Sequence, residues 1–339
     1  MRLMIALLIV LTVPAAAQKR KPGSPLEALP PHIEMLAHFG ERADFSPSDD
    51  AVTFMAKSFG DAFVIDLKTR VIRCLTCNIP GAAFLRVMHL ANGDYLLIGP
   101  ERFTSLREGR HRDNELWLLR RAPGAKPERL NQKMSEGAAV SKRSLKIAFS
   151  QTSAQNPDLQ SGASRLIVAE VDVATATLRN TKVVHQSASN ACIIEAQDFL
   201  DNDGKLTFSC YEPQNRASVH VIDLETGKVT PQSAAIGHYN EVEGIFPDGL
   251  HTCVESDQQA QRAGWEGGFR NIDIWKLRLD GTGRSFERLT FFNDYEGWKA
   301  SNPVVSRDGR WMAFQAAKSA DEAGVGYGIL LQRLGAARR

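Results

Sequence analysis

Short apolar runs alternate with polar turns along this chain, and one unit of that alternation recurs six times. The sharpest copy, residues 302–315 (NPVVSRDGRWMAFQ), is an apolar strand, a turn at Asp308-Gly309, and a second strand of alternating character. The others lie at 45–56, 89–99, 139–150, 199–210 and 244–255. With Asp50, Gly93, Ser144, Gly204, Gly249 and Gly309 as equivalent turn positions, the intervals are 43, 51, 60, 45 and 60 residues. A third strand follows in each unit, at 63–67, 115–119, 166–171, 219–224, 272–277 and 327–331, and the first unit shows a fourth at 71–75. No long amphipathic helical period interrupts them. A small sheet repeated at this spacing cannot bury both faces alone, so the pattern predicts an all-β ring of four-stranded antiparallel blades. Six blades follow from the count; seven stay open, because the 51- and 60-residue intervals hold long loops.

The sixth unit runs out after its third strand, while residues 32–39 (HIEMLAHF) precede the first turn with strand-like content. The N-terminal segment is therefore expected to supply the outer strand of the last blade, closing the ring and removing two sheet edges. Ahead of it, residues 1–17 read as a secretory signal: Arg2, an apolar run from Leu3 to Val13, Pro14, then Ala15, Ala16 and Ala17, with cleavage expected before Gln18. Residues 18–31 are charged and Pro-rich, as in an extended leader. One domain, 32–339, accounts for the rest.

The stretch RLTFFNDYEGWKASNPVVSRDGRWMAFQ ends one unit in Leu-Thr and turns the next with Ser-x-Asp-Gly; Arg73-Cys74-Leu75-Thr76 and Phe45-Ser46-Pro47 repeat the pattern. It resembles the WD-like Asp-Gly repeats of the TolB family of propellers, over essentially everything after residue 40. The resemblance implies a TolB-like propeller in the bacterial envelope. The α/β domain that precedes the TolB propeller has no counterpart ahead of Phe45, and no G-x-S-x-G elbow of a fused peptidase occurs.

Composition is that of an ordinary globular domain, 43% apolar and 24% charged over 339 residues. A formal charge of +2 supplies no field to gather nucleic acid or anionic lipid. No later run reaches the ~20 apolar residues of a membrane span. Five cysteines leave at least one unpaired within the chain; Cys74 and Cys77, a lone CxxC, are read as a disulfide, with half a metal site or two separate thiols as the other options.

Length variation concentrates in the loops 99–114, 151–164, 255–271 and 316–326, which in blades of this plan share one face of the ring, and that face is the expected binding surface. Candidate binding residues are Asp198, Glu241, Glu243, Glu255, Asp257, Arg270, Trp298 and Asn302, carboxylates and amides interleaved with aromatic side chains as peptide or sugar sites require. Six positions before their turns, Asp198 and Glu243 fall on innermost strands, where they could hold Ca²⁺ or Mg²⁺ in the axial channel. The sequence shows no catalytic constellation: no HExxH, and no Ser, His and Asp at assignable spacing. The expectation is an exported, non-catalytic propeller binding an envelope protein, peptide or glycan through its long-loop face. The alternatives are a glycan lyase or hydrolase at the channel mouth, or a Tol-Pal accessory. An enzyme predicts a deep axial pocket with converging charged groups, a scaffold a broad, shallow face.

Overall fold

A computed structural model describes residues 18–188, 191–233, 238–321 and 324–335. The expected signal segment, 1–17, lies outside these residues. Among them, twenty-four strands form six four-stranded antiparallel sheets. The first blade is β2 (Glu41–Phe45), β3 (Ala51–Met55), β4 (Ala62–Asp66) and β5 (Ile72–Cys74), after β1 (Ile33–Ala37). The second is β6 (Arg86–His89), β7 (Tyr95–Pro100), β8 (Asn114–Leu119) and β9 (Glu128–Lys133). The third is β10 (Ala138–Val140), β11 (Lys146–Thr152), β12 (Ser164–Asp172) and β13 (Thr177–Gln186). The fourth is β14 (Ile193–Leu200), β15 (Lys205–Glu212), β16 (Arg216–Asp223) and β17 (Val229–Pro231). The fifth is β18 (Asn240–Ile245), β19 (His251–Ser256), β20 (Asp273–Arg278) and β21 (Phe286–Arg288). The sixth has β22 (Trp298–Val305), β23 (Trp311–Lys318) and β24 (Ile329–Arg333), and β1 completes it by pairing antiparallel with β24, Ile33 opposite Gln332 and Glu34 opposite Leu331. The ring is thus a six-bladed propeller closed by its N-terminal strand.

The repeated motifs have direct structural causes. The Ser of Ser-x-Asp-Gly caps its own turn: Ser306 Oγ accepts from Trp311 N at 2.9 Å and donates to Asp308 Oδ1 at 2.7 Å, and Ser46 serves Asp50 and Ala51 the same way. The Thr of Leu-Thr ties the fourth strand to the third. Thr76 Oγ1 accepts from Ala62 N and donates to Asp61, and Thr290 does so with Ile274 N and Asp273. Gly309 sits at φ +70°, a backbone conformation costly for a residue with a Cβ.

Apolar burial falls between blades rather than at a centre. Val219 of the fourth blade meets Val242, Val254 and Leu277 of the fifth, and Phe45, Val52 and Phe54 of the first meet Ala313, Ile329 and Leu331 of the sixth. Each sheet therefore covers its neighbour's face, which is why one blade has no stable fold of its own. The axis is left to polar side chains.

Residues 18–21 lie against this ring. Lys21 N donates to Asp294 O at 2.7 Å, and the Arg20 guanidinium stacks 4.2 Å from the Trp265 ring centroid while donating to Asn271 Oδ1 at 2.7 Å. The Cys74 and Cys77 sulfurs are bonded, as are those of Cys192 and Cys210, leaving Cys253 as a buried thiol. Among the described residues no helix is long and apolar enough to cross a membrane.

Candidate functional site: an axial funnel

Each blade's innermost strand ends at the channel, and four of them break register on the way. The pairing slips between Glu41 and Asp44, Ala196 and Asp198, Val242 and Ile245, and Ser301 and Val304. In the first and sixth blades the bulge carries a left-handed residue, Arg42 at φ +57° and Asn302 at φ +48°. Both side chains line the axis.

Three spaces follow one another along that axis. On the long-loop face opens a funnel of about 710 Å³, within the range of small-ligand sites. All four long loops wall it, through Arg110 and His111, Thr152 to Ala154, Phe269, and Lys318 and Asp321. Below it is a narrow waist of about 50 Å³ between Arg42, Arg86, Gln197, Asp198, Glu243 and Asn302. Beyond the waist a second depression of about 680 Å³ opens among the Asp-Gly turns, with Lys142, Asp203 and Arg307 at its rim.

The funnel floor is a network of carboxyl and phenol groups. Glu241 on β18 accepts hydrogen bonds from both Tyr211 and Tyr239, and Tyr211 Oη also lies 2.8 Å from Glu195 Oε2. Glu255 lies opposite Glu241 in the β18–β19 register and accepts from the backbone N–H of Asn302. Burial, and then the neighbouring Glu241 charge, push the Glu255 carboxyl up to about 8, so it holds its proton at neutral pH. Glu241 is raised by burial and by Glu195. Both phenols are held well above their ordinary range, by burial first and by these carboxylates second.

Cations face this floor. Burial lowers the Lys299 ammonium, Glu255 and Glu241 opposing the shift, and its Nζ donates to Phe269 O at 3.0 Å. Glu136 is gripped by two guanidiniums, Arg42 Nη2 at 3.0 Å and Arg110 Nε at 3.0 Å. Burial and the adjacent Arg42 bring Arg110 down to about 10. The funnel thus offers donors and acceptors at close quarters, with the rings of Phe269, Tyr211 and Tyr239 as its apolar surface.

Of the residues singled out from sequence, Glu241, Glu255 and Asn302 meet at the funnel floor. Glu243 and Asp198 stand in the waist, Glu243 within 3.4 Å of Asn302 Nδ2. Both Asp198 oxygens are engaged by backbone, accepting from Phe199 N at 2.8 Å and Ile245 N at 3.1 Å. Asp257, 1% exposed, braces the 255–271 loop from behind: it accepts from Tyr239 N at 3.1 Å and Gly268 N at 2.7 Å. Arg270 lies on the rim and donates to Ser319 O at 2.9 Å, joining two long loops. Trp298 packs against Tyr327, ring centroids 5.5 Å apart, away from the funnel lining. Among the described residues, the one trio of His, Cys, Asp or Glu ligand atoms all within 4.8 Å is Asp61, Cys74 and Cys77, whose sulfurs are bonded to each other.

Sequence reasoning passed over Arg42, Glu136, Glu195, Tyr211, Tyr239 and Lys299. A signal existed for Glu195, which lies nine positions before its turn glycine Gly204, as Glu41 lies nine before Asp50. The tyrosines had none, because their partners come from other strands.

No protein-family model matches the chain, and no curated protein matches it in sequence. Solved structures do. The putative TolB of Agrobacterium tumefaciens superposes with a TM-score of 0.54 at 16% identity, over 76% of this chain and 77% of that one. Regucalcin, a calcium-binding protein of Agrobacterium tumefaciens, gives 0.54 at 12% over 88% and 92%. An oligogalacturonate lyase in complex with manganese gives 0.51 at 12% over 88% and 78%. At such identities the likeness shows the propeller fold, and the TolB-type repeat is a likeness of fold and motif.

Proposed function

We propose that this chain is an extracytoplasmic propeller that takes a glycan segment end-on into the funnel of its long-loop face. One observation carries the reading: four long loops and the inner strands converge on a single deep cavity floored by buried carboxyl, phenol and ammonium groups. A flat docking face for a folded partner lacks such a floor. A dense alternation of donors and acceptors with a few ring faces matches the hydroxyl-rich edges and apolar faces of a sugar. Two bonded cysteine pairs fit an oxidising compartment.

A second reading, cleavage of that glycan, is favoured by the Glu255 carboxyl, which is protonated at neutral pH and stands opposite Glu241. An acid that keeps its proton beside a second carboxyl is what glycosidic bond cleavage uses. A neighbouring fold that is an oligogalacturonate lyase adds an analogy only.

The test is calorimetric titration and product chromatography with neutral and uronate oligosaccharides, and with peptides as the comparison class. Binding of an oligosaccharide, lost in Tyr211→Phe and Glu241→Gln while both variants melt as folded protein, supports the proposal. Binding of peptides alone, or of nothing, overturns it. Release of shortened or unsaturated sugar establishes the second reading.

A further inference from the structure

The waist of the channel holds polar side chains that the funnel does not use. Arg86, on the inner strand β6, is 9% exposed, and its side chain makes no hydrogen bond and no ion pair with any described residue. Gln197, on β14, is 8% exposed, and its Nε2 is likewise unpartnered. Arg42 Nε, buried between them and the funnel, has no hydrogen-bond partner, the nearest carboxylate oxygen being Glu41 Oε1 at 3.8 Å. All three orphaned atoms are nitrogen donors, and all three side chains line the same cavity of about 50 Å³.

Buried donors without acceptors are costly, and a buried guanidinium without a counter-charge more so. The other two cations of the waist are matched: Lys142 Nζ lies 2.7 Å from Asp44 Oδ1, and Arg42 Nη2 lies 3.0 Å from Glu136 Oε1. Arg86, the third, makes no hydrogen bond or ion pair with a described residue. The carboxyls beside it do not fill the role. Asp198 is committed to backbone N–H groups and is raised to about 7 by burial. Glu243 makes no hydrogen bond or ion pair with Arg86 among the described residues, and burial, reinforced by Glu241 and Glu255 and opposed by Arg86, drives its carboxyl well above the ordinary range.

We infer that the waist binds one small monovalent anion of halide size, held by the Arg86 guanidinium, Gln197 Nε2 and Arg42 Nε. The volume is that of one or two water-sized species, which admits a halide and leaves no room for a phosphate with its own ligands. A divalent cation would meet donors where it needs oxygen ligands. The site lies below the funnel and shares Arg42 with it. An anion there links the first, second and fourth blades across the axis.

Bromide is the probe. Crystals of the full chain grown or soaked in sodium bromide should show an anomalous peak between Arg86 and Gln197. In solution, bromide at 100 times its half-saturating concentration should raise the melting temperature by about 2–5 °C over sodium gluconate of equal ionic strength. Arg86→Met and Gln197→Leu should each lose that difference. Where Arg86→Met does not fold, Gln197→Leu decides, since it removes one neutral donor and no charge. No anomalous peak, equal melting in both salts, or an equal bromide shift in wild type and Gln197→Leu overturns the assignment. So does a Mn²⁺ or Ca²⁺ peak at Glu243 and Asp198 in its place.

Discussion

Replacing Glu255 with Gln tests whether the funnel floor holds a proton that the unfolded chain gives up. The folded carboxyl titrates at about 8, against 4.5 when freely solvated. Between those values the unfolded state has lost the proton and the native state keeps it, so the native state binds more protons and stability falls as pH rises. The fall starts near pH 4.5 and ends near pH 8. At about 1.4 kcal/mol per unit over 3.5 units, the upper bound is about 5 kcal/mol. For 339 residues, at roughly 2.1 cal/mol/K each, the unfolding entropy is about 0.7 kcal/mol/K, so the bound corresponds to about 7 °C. Gln keeps the carbonyl that accepts from Asn302 N and has no proton to lose. Lys299 retains Glu241 as a counter-charge. The variant should therefore match wild type at pH 5 and melt progressively higher than it towards pH 8, levelling off above. Circular-dichroism melts from pH 5 to 9 at constant ionic strength measure this. Glu241 and Glu243 still titrate in both proteins, so the quantity read is the difference between the curves. Parallel curves across the whole range would refute the protonated floor.

Two further outcomes separate architecture from site. Gly309→Ala places a Cβ at positive φ and 2.8 Å from Pro247 Cγ, and should cost about 1–3 kcal/mol, or about 1–4 °C of melting temperature, whereas Glu243→Gln alters a carboxyl whose charged form burial already disfavours and should melt close to wild type at pH 7. Equal losses in the two would show that the turn and the channel are not distinct in role. Removing the Cys74–Cys77 link, which closes a loop of only 4 residues, should cost about 2 kcal/mol by loop entropy, and removing Cys192–Cys210, which closes 19, about 3 kcal/mol. Urea unfolding of the two double-serine variants checks the order, and a reversed order would mean that local contacts outweigh chain entropy.

The ring was legible and its chemistry only partly so, for one physical reason. A blade is defined by things local in sequence: a Ser-capped Asp-Gly turn, a Thr that ties strand four to strand three, an apolar run between. Each is complete within a few dozen residues, so the repeat announces itself, and even the closure by β1 follows from a missing strand at one end and a spare one at the other. The funnel is assembled the opposite way. Tyr211 belongs to the fourth blade and Tyr239 to the fifth, yet both donate to Glu241. Nothing near Tyr211 in sequence records that bond. Counting back from the turns found Asp198 and Glu243, because alternation along a strand is fixed. It gave no depth along the axis, because the bulges at 42, 197 and 302 add a residue that no apolar pattern marks. The loop aromatics show the same limit from the other side. Trp298, expected at the binding face, packs on Tyr327, Trp265 and Tyr295 hold Arg20 and Lys21 in place, and it is Phe269 that reaches the funnel. In a propeller, residues that face the axis are relieved of the apolar requirement that makes the rest readable. Their identity is set by partners across the ring, and Arg86 and Gln197, buried with side-chain nitrogens that have no hydrogen-bond partner among the described residues, carry that logic to a ligand.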